Sequence, residues 1–143
     1  MLRIAESTML ETLSESECRR LLACGGIGRI GIVADQVAYV LPVNYAMLDD
    51  LIVFRTAMGS TFDRLVRNRS VTFEIDHLDP GYHAGWSVVG FGIGEGLEGV
   101  VDPIVLHALH LRPWGFTAEP GWIGILLQEV TGRRVVHVGV AHE

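Results

Sequence analysis

The stretch from Gly85 to Leu97 constrains the fold most. It is rich in β-forming residues, yet it carries glycine at 90, 92, 94 and 96. Glycines inside a strand mark bulges, bends or close backbone approach. The alternation reads as one long strand with such features built in, and a strand is the wrong context for a glycine-rich phosphate loop. Other β-rich runs surround it. Gly28 to Val33 and Val37 to Val43, separated by Ala34-Asp35-Gln36, read as a hairpin. Asp49-Asp50 turns the chain into Leu51 to Thr56, and Val71 to Ile75 follows. Asp79-Pro80-Gly81 fits a type II turn, with Pro first and Gly second in its centre. Trp122 to Val130 and Arg133 to Val140 read as two closing strands joined through Thr131-Gly132. The first ten or so residues read as an arm or a loose strand.

Three short helices interrupt the strands. Ser14 caps the first, with Glu17 three residues later and Leu13 placed to staple against Cys18. Its apolar stripe is Cys18, Leu21 and Leu22, and Gly25-Gly26 stops it. Ser60 caps the second, with Asp63 in the capping-box place and Phe62, Leu65 and Val66 as the buried stripe. Asp102-Pro103 opens the third, with Asp as cap and Pro at the first helical position. Residues 111 to 121 form a loop around Trp114. Six or seven short strands joined by hairpins suggest a small antiparallel barrel.

The chain of 143 residues suits a single domain, 1–143, large enough to fold without staples. A net charge of −6 argues against nucleic acid, which wants a basic face. It suits a small-molecule ligand or substrate, or a protein partner. Cys18 and Cys24 would lie on different faces of one helix, which predicts two reduced thiols. No apolar run reaches the roughly 18 residues a membrane span needs, and no leader is evident, so a cytoplasmic protein is expected. The apolar fraction of 49% is high for a small β-rich chain. One monomer has little interior in which to hide it, which predicts a homodimer.

Two segments carry candidate chemistry. In Phe54-Arg55-Thr56-Ala57-Met58-Gly59-Ser60-Thr61 a strand ends in a polar loop that feeds a helix start. Backbone N–H groups, the Ser60 and Thr61 hydroxyls and the planar cation of Arg55 suit an anion there. In Leu41-Pro42-Val43-Asn44-Tyr45, Pro42 removes a ladder donor and implies a strand end or bulge where a planar ring can lie. His107 and His110 lie three apart on the third helix, but no carboxylate or Cys completes a metal site, so none is expected. His77 and His83 flank the Asp79-Pro80-Gly81 turn.

These segments occur in order with Gly85-Trp86-Ser87-Val88-Val89, Arg112-Pro113-Trp114 and Val130-Thr131-Gly132-Arg133-Arg134. Together they resemble the pyridoxamine 5′-phosphate oxidase-like family of flavin-binding split barrels, over about Leu13 to Val136. The resemblance implies a homodimeric split β-barrel with a flavin site at each end of the dimer interface. It implies that Arg55 and Thr56 run along the phosphate and ribityl side of FMN and that Ser60 and Thr61 cradle the phosphate. Pro42, Val43 and Asn44 would lie under the ring, Ser87 would make a polar contact to the ring or the ribityl chain, and Trp114 would close the site, from its own subunit or from the partner. An oxidoreductase acting on a small substrate is the activity implied. The alternatives are a flavin-binding module without turnover and a reductase that uses the deazaflavin F420. Three departures from the family pattern weaken the anion site: Thr61 and Phe62, Phe91 and Gly124 stand where a cation is usual. Losing one charge-assisted hydrogen bond costs about 1.5–3 kcal/mol, so weak FMN binding is expected.

Overall fold

The computed structural model describes residues 5–81, 84–115 and 119–140. Its strands are β1 (Ala5–Thr12), β2 (Gly26–Ala34), β3 (Val37–Leu48), β4 (Leu51–Ala57), β5 (Ser70–Asp79), β6 (Ala84–Gly96) and β7 (Pro120–Val140). The helices are α1 (Glu15–Leu22), α2 (Thr61–Val66) and α3 (Pro103–His107). Sheet order is β1-β7-β4-β3-β2-β5-β6, with β7 also paired to β6. That extra pairing closes six strands into an antiparallel barrel, and β1 extends it along the far end of β7. The expected six- to seven-stranded split barrel with short helices is the fold observed.

The closing strand departs from expectation. Thr131-Gly132 is no turn: β7 runs unbroken through it, pairing in turn with β4, β6 and β1. Gly132 is required for packing instead, because a methyl there would sit 2.5 Å from the Cys18 sulfur of α1. The glycine-bearing strand behaves as its sequence implies. Register slips by one residue between Phe91 and Gly92, a β-bulge that bends the closure. The Pro80-Gly81 turn is not type II, because Gly81 lacks the positive φ such a turn demands. Instead the Asp79 carboxylate accepts the Gly81 N–H at 3.1 Å. The β2–β3 hairpin turns through Asp35 and Gln36, both in the left-handed region at φ 51 and 65, as a two-residue I′ connection needs.

Side chains of alternating strand residues fill the barrel. Ile30, Phe54, Phe73, Val88, Ile123 and Ile125 are all but inaccessible to solvent there, with Cys18 and Leu22 of α1 plugging one end. Cys18 is buried, Cys24 is exposed, and both are free thiols as expected. Outside the barrel wall a second, smaller cluster of Val53, Leu97, Leu106 and Trp122 seats α3 against β4 and β7. Neighbouring β4 residues therefore serve different layers. Phe54 points into the barrel, while Val53 and Arg55 face the layer under α3. Among the described residues no helix is long and apolar enough to cross a membrane.

Candidate functional site

β3 and β4 pair only from Leu48–Leu51 to Tyr45–Phe54. Beyond that point the strands part, since β3 follows β2 while β4 follows β7 as far as Ala57. The gap holds a cleft of about 220 Å³. Pro42 and Val43 line one wall, Arg55, Thr56 and Ser60 the other, and Phe62, Pro113 and Trp114 close it. Six of the nine residues marked by the sequence thus converge here.

The remaining three do not. Asn44 neighbours the cleft, where its side-chain amide donates to the Arg112 carbonyl at 3.5 Å. Thr61 lines a separate hollow with Ile32, Tyr39 and Leu65, on the other side of Phe62. Ser87 lies on β6 between Asp76 of β5 and Arg133 of β7. Two strands, β5 and β2, separate it from β3.

The polar wall owes its shape to a residue marked in the sequence only as a helix cap. Asp63 is 2% exposed. Its carboxylate accepts the Thr56 hydroxyl at 2.6 Å, the Gly59 N–H at 3.0 Å and Arg67 Nε at 2.8 Å. Burial alone would push this carboxyl's pKa up. The Thr56, Gly59 and Arg67 hydrogen bonds, with the Arg67 charge, outweigh burial and hold it below its usual value. Arg67 in turn donates to Glu98 at 2.6 Å, and Glu98 accepts the Trp122 N–H at 2.7 Å. The loop after β4 is therefore fastened from beneath, with Gly59 at φ 78.

This network decides which hydroxyl can serve a ligand. Thr56 gives its proton to Asp63, so towards the cleft it can only accept. Ser60 Oγ accepts the Asp63 N–H at 3.1 Å, which leaves its own proton free to donate. The guanidinium of Arg55 lies 3.9 Å above the Trp122 ring. It donates to the carbonyls of Pro120 at 3.2 Å and Gly121 at 3.4 Å. Desolvation lowers its pKa, opposed by Glu98, but an arginine remains cationic. Two carbonyls use two of its five donors, so the side chain is held in place with donors to spare.

The cleft fits half of a flavin site. It has an apolar wall for a ring and, at the other end, one cation and one free hydroxyl donor for a phosphate. Its volume falls short of the roughly 300 Å³ at which small-molecule pockets begin. No His, Cys, Asp, Glu, Lys or Tyr lines it among the described residues. No group of side chains among the described residues could hold a metal ion. His77 stacks loosely near Trp86, with ring centres 6.4 Å apart, and His83 lies outside the described residues. His110 sits beyond the end of α3, at φ 54, so it does not share that helix with His107 as its spacing suggested.

Residues 14–134 match the model of a family described as pyridoxamine 5′-phosphate oxidase. The uncharacterized protein Rv0080 of Mycobacterium tuberculosis is 31% identical over 131 residues, covering 87% of this chain and 84% of the relative. An FAD binding protein from Mycobacterium smegmatis has a similar structure, with 31% identity and a TM-score of 0.71 over 87% of this chain and 98% of that one. An FAD-binding protein from Mesorhizobium loti gives 26% identity and a TM-score of 0.73, covering 91% and 99%.

Proposed function

This chain belongs to the pyridoxamine 5′-phosphate oxidase family, and on that premise we propose that the cleft between β3 and β4 binds FMN in an oxidoreductase acting on a small substrate. The observation that carries the reading is the convergence of Pro42, Val43, Arg55, Thr56, Ser60 and Trp114 on one cleft with an apolar wall and a cationic end. The ring lies against Pro42 and Val43 under Trp114, and the phosphate lies by Ser60 and Arg55. A bound flavin supplies hydride chemistry itself, while the protein orients it and tunes its electronics. That suits a cleft whose described residues include no acid or base.

A second copy of the chain completes the site. The outer sheet face carries Val40 on β3, opposite Gly31 on β2, opposite Thr72 on β5, opposite Phe91 on β6. Val33, Val40, Phe91, Ile93 and Leu126 are exposed on it, Val33 at 70%. A trough of about 590 Å³ runs over Gly31 and Phe91 on the same face. So extended an apolar surface marks an interface. Ser87 shares this face, four residues before Phe91 on the same strand, and in the dimer it reaches the flavin from the partner. Light scattering should show a homodimer with an isologous contact burying more than about 1,000 Å². Replacing both Val40 and Phe91 by Lys should give monomers. A wild-type monomer at every concentration would remove the basis for the shared site.

The role of Arg55 is tested by paired calorimetry with FMN and riboflavin, which lacks the phosphate. Arg55→Ala should weaken FMN by about 1.5–3 kcal/mol, the worth of a charged hydrogen bond, and riboflavin much less. Equal losses would place Arg55 in support of the ring or of the Trp122 stack. No loss for either would move the phosphate elsewhere. Including F420 in the titration decides between the two flavin types.

A further inference from the structure

Arg29, Glu74 and Asp76 form an ion cluster on the outer face of the barrel. Arg29 Nη1 donates to Asp76 Oδ2 at 3.1 Å and to Glu74 Oε1 at 3.3 Å. Glu74 and Asp76 are alternate residues of β5, so their side chains stand on one face. The two carboxyls also hydrogen-bond to each other, which needs a proton between them. Among the described residues Arg29 is the only cation paired to either. With both carboxylates ionised the cluster has one negative charge in excess, and with one proton it is neutral. Burial pushes the Glu74 carboxyl up, and the Asp76 hydrogen bond and charge push it further, against Arg29, to about 7. That proton belongs to the pair.

The surroundings add no cation to the cluster. Pro42 of β3 stands opposite Arg29, Val89 of β6 opposite Glu74, and Ser87 opposite Asp76. On β7, Thr131 lies beyond Val89, and Arg133 lies beyond Ser87 with no ion pair to either carboxylate. The next row along the strands holds Thr72, Phe91 and another acid, Glu129.

Placement decides what covers the cluster. Pro42 lines its own cleft, whereas Ser87 serves the cleft of the partner. Only β2 and β5 lie between the strands that carry these two residues. Arg29, Glu74 and Asp76 therefore occupy the strip between one flavin site and the other. A second copy that takes Ser87 into its cleft must pass over that strip. Glu74 and Asp76 are already only 28% and 24% exposed in one chain. Covering them further while both are ionised would desolvate an uncompensated charge in each copy, which is costly.

We propose that the contact between the two copies is proton-linked: the Arg29–Glu74–Asp76 cluster of each copy takes up a proton as the dimer forms, so the shared site assembles more tightly as pH falls. The inference rests on the shared-site reading of the cleft. Cover by a second copy raises the Glu74 carboxyl beyond the value of about 7 that it has in one chain. Below that value monomer and dimer both hold the proton, and the linkage vanishes. Above it, each pH unit weakens the dimer by up to about tenfold per cluster, until the dimer too loses its protons.

The test is fluorescence-detected sedimentation of the chain, labelled at its amino terminus and without flavin, over a dilution series at about pH 6 and about pH 8.5. The wild-type dimer should have a Kd at least about tenfold higher at the upper pH. Glu74→Gln keeps a hydrogen-bonding side chain and removes the titration, so its Kd should stay within about twofold of the low-pH wild-type value at both pH values. Asp76→Asn should behave likewise, because Glu74 paired with Arg29 alone leaves no charge in excess. Circular dichroism at each pH establishes that the variants are folded. A wild-type Kd that is equal at the two pH values, or lower at the upper one, overturns the inference whatever the variants do, while the dimer itself stands. A pH dependence that survives in both variants overturns it too, by placing the proton elsewhere. A wild-type monomer at both pH values and every concentration overturns the shared-site reading and the inference together.

Discussion

Gly94→Ala should destabilise the protein by about 3–5 kcal/mol, or prevent its accumulation as a soluble protein, although it adds one methyl group. That methyl would run into the carbonyl oxygen of Val66, the last residue of α2. A backbone oxygen cannot rotate aside as the end of a side chain can. Two hydrogen bonds also tie Gly94 to the turn after α2: the Asn68 N–H donates to its carbonyl at 2.6 Å, and its own N–H donates to Arg69 at 3.0 Å. Overpacking in a rigid site costs about 1–3 kcal/mol and occasionally more, and each backbone bond lost adds about 1 kcal/mol. Gly31→Ala is the control. Within its own chain its methyl would meet Thr72 Cβ at an ordinary 3.5 Å, so in a Val40→Lys, Phe91→Lys background, where the proposed dimer contact over Gly31 is absent, stability should change by no more than about 0.5 kcal/mol. Urea denaturation of each variant and its parent measures the difference. A Gly94→Ala loss as small as that of Gly31→Ala would show that α2 can lift off β6 freely.

The same glycine shows what was legible in the sequence. Its place in a strand announced close approach or a bend, and both occur on β6. The helix starts were legible because caps are local chemistry: Ser14 accepts the Glu17 N–H, Ser60 the Asp63 N–H and Asp102 the Ile104 N–H. Gly132 was misread for a physical reason. A glycine chosen for a turn and one chosen because α1 lies against it look alike until the packing of Cys18 is known. Strand ends were also set too short. Pairing partners carry β3 to Leu48 and β5 to Asp79, and no local signal records a partner strand.

The site was legible in its parts and not in its assembly. Pro42 and the Arg55 to Ser60 segment were both marked by local chemistry, but that they face each other across a gap follows from β3 and β4 choosing different partners. Ser87 was placed by position within a motif, and Thr61 by its hydroxyl beside the Ser60 cap. A helix start sends successive side chains in different directions, which takes Thr61 to another hollow. Arg55 was marked as a planar cation suited to an anion, and nothing local announced that Trp122 and two carbonyls hold it. Trp122 comes from a strand whose alignment beside β4 depends on the whole barrel.

Asp63 carries the second large effect. Asp63→Ala should cost about 3–5 kcal/mol, the usual result of removing one partner from a buried ion pair. It strips the Thr56 hydroxyl and the Gly59 N–H of their acceptor and leaves Arg67 with Glu98 and the Met58 sulfur. Asp63→Asn should cost less, since its amide oxygen still accepts from Thr56 and Arg67, although its NH₂ faces the Gly59 donor. The pH dependence separates this network from plain packing. The carboxyl's pKa is lower in the folded chain than its usual 3.8. Below that value the unfolded chain binds the proton first, so stability falls as pH falls through the folded pKa and is fully present above 3.8. In wild type, urea midpoints should decline below pH 3.8 more steeply than in Asp63→Asn, where this titration is gone. Parallel midpoint curves would mean that Asp63 acts only by shape. The variant also reaches function, because the loop that presents Ser60 is fastened through Gly59. Asp63→Asn should weaken FMN at pH 7 while the protein remains folded, which circular dichroism on the same sample establishes. Unchanged FMN affinity in a folded variant would mean that the loop holds its shape without the carboxylate and that the network serves stability alone.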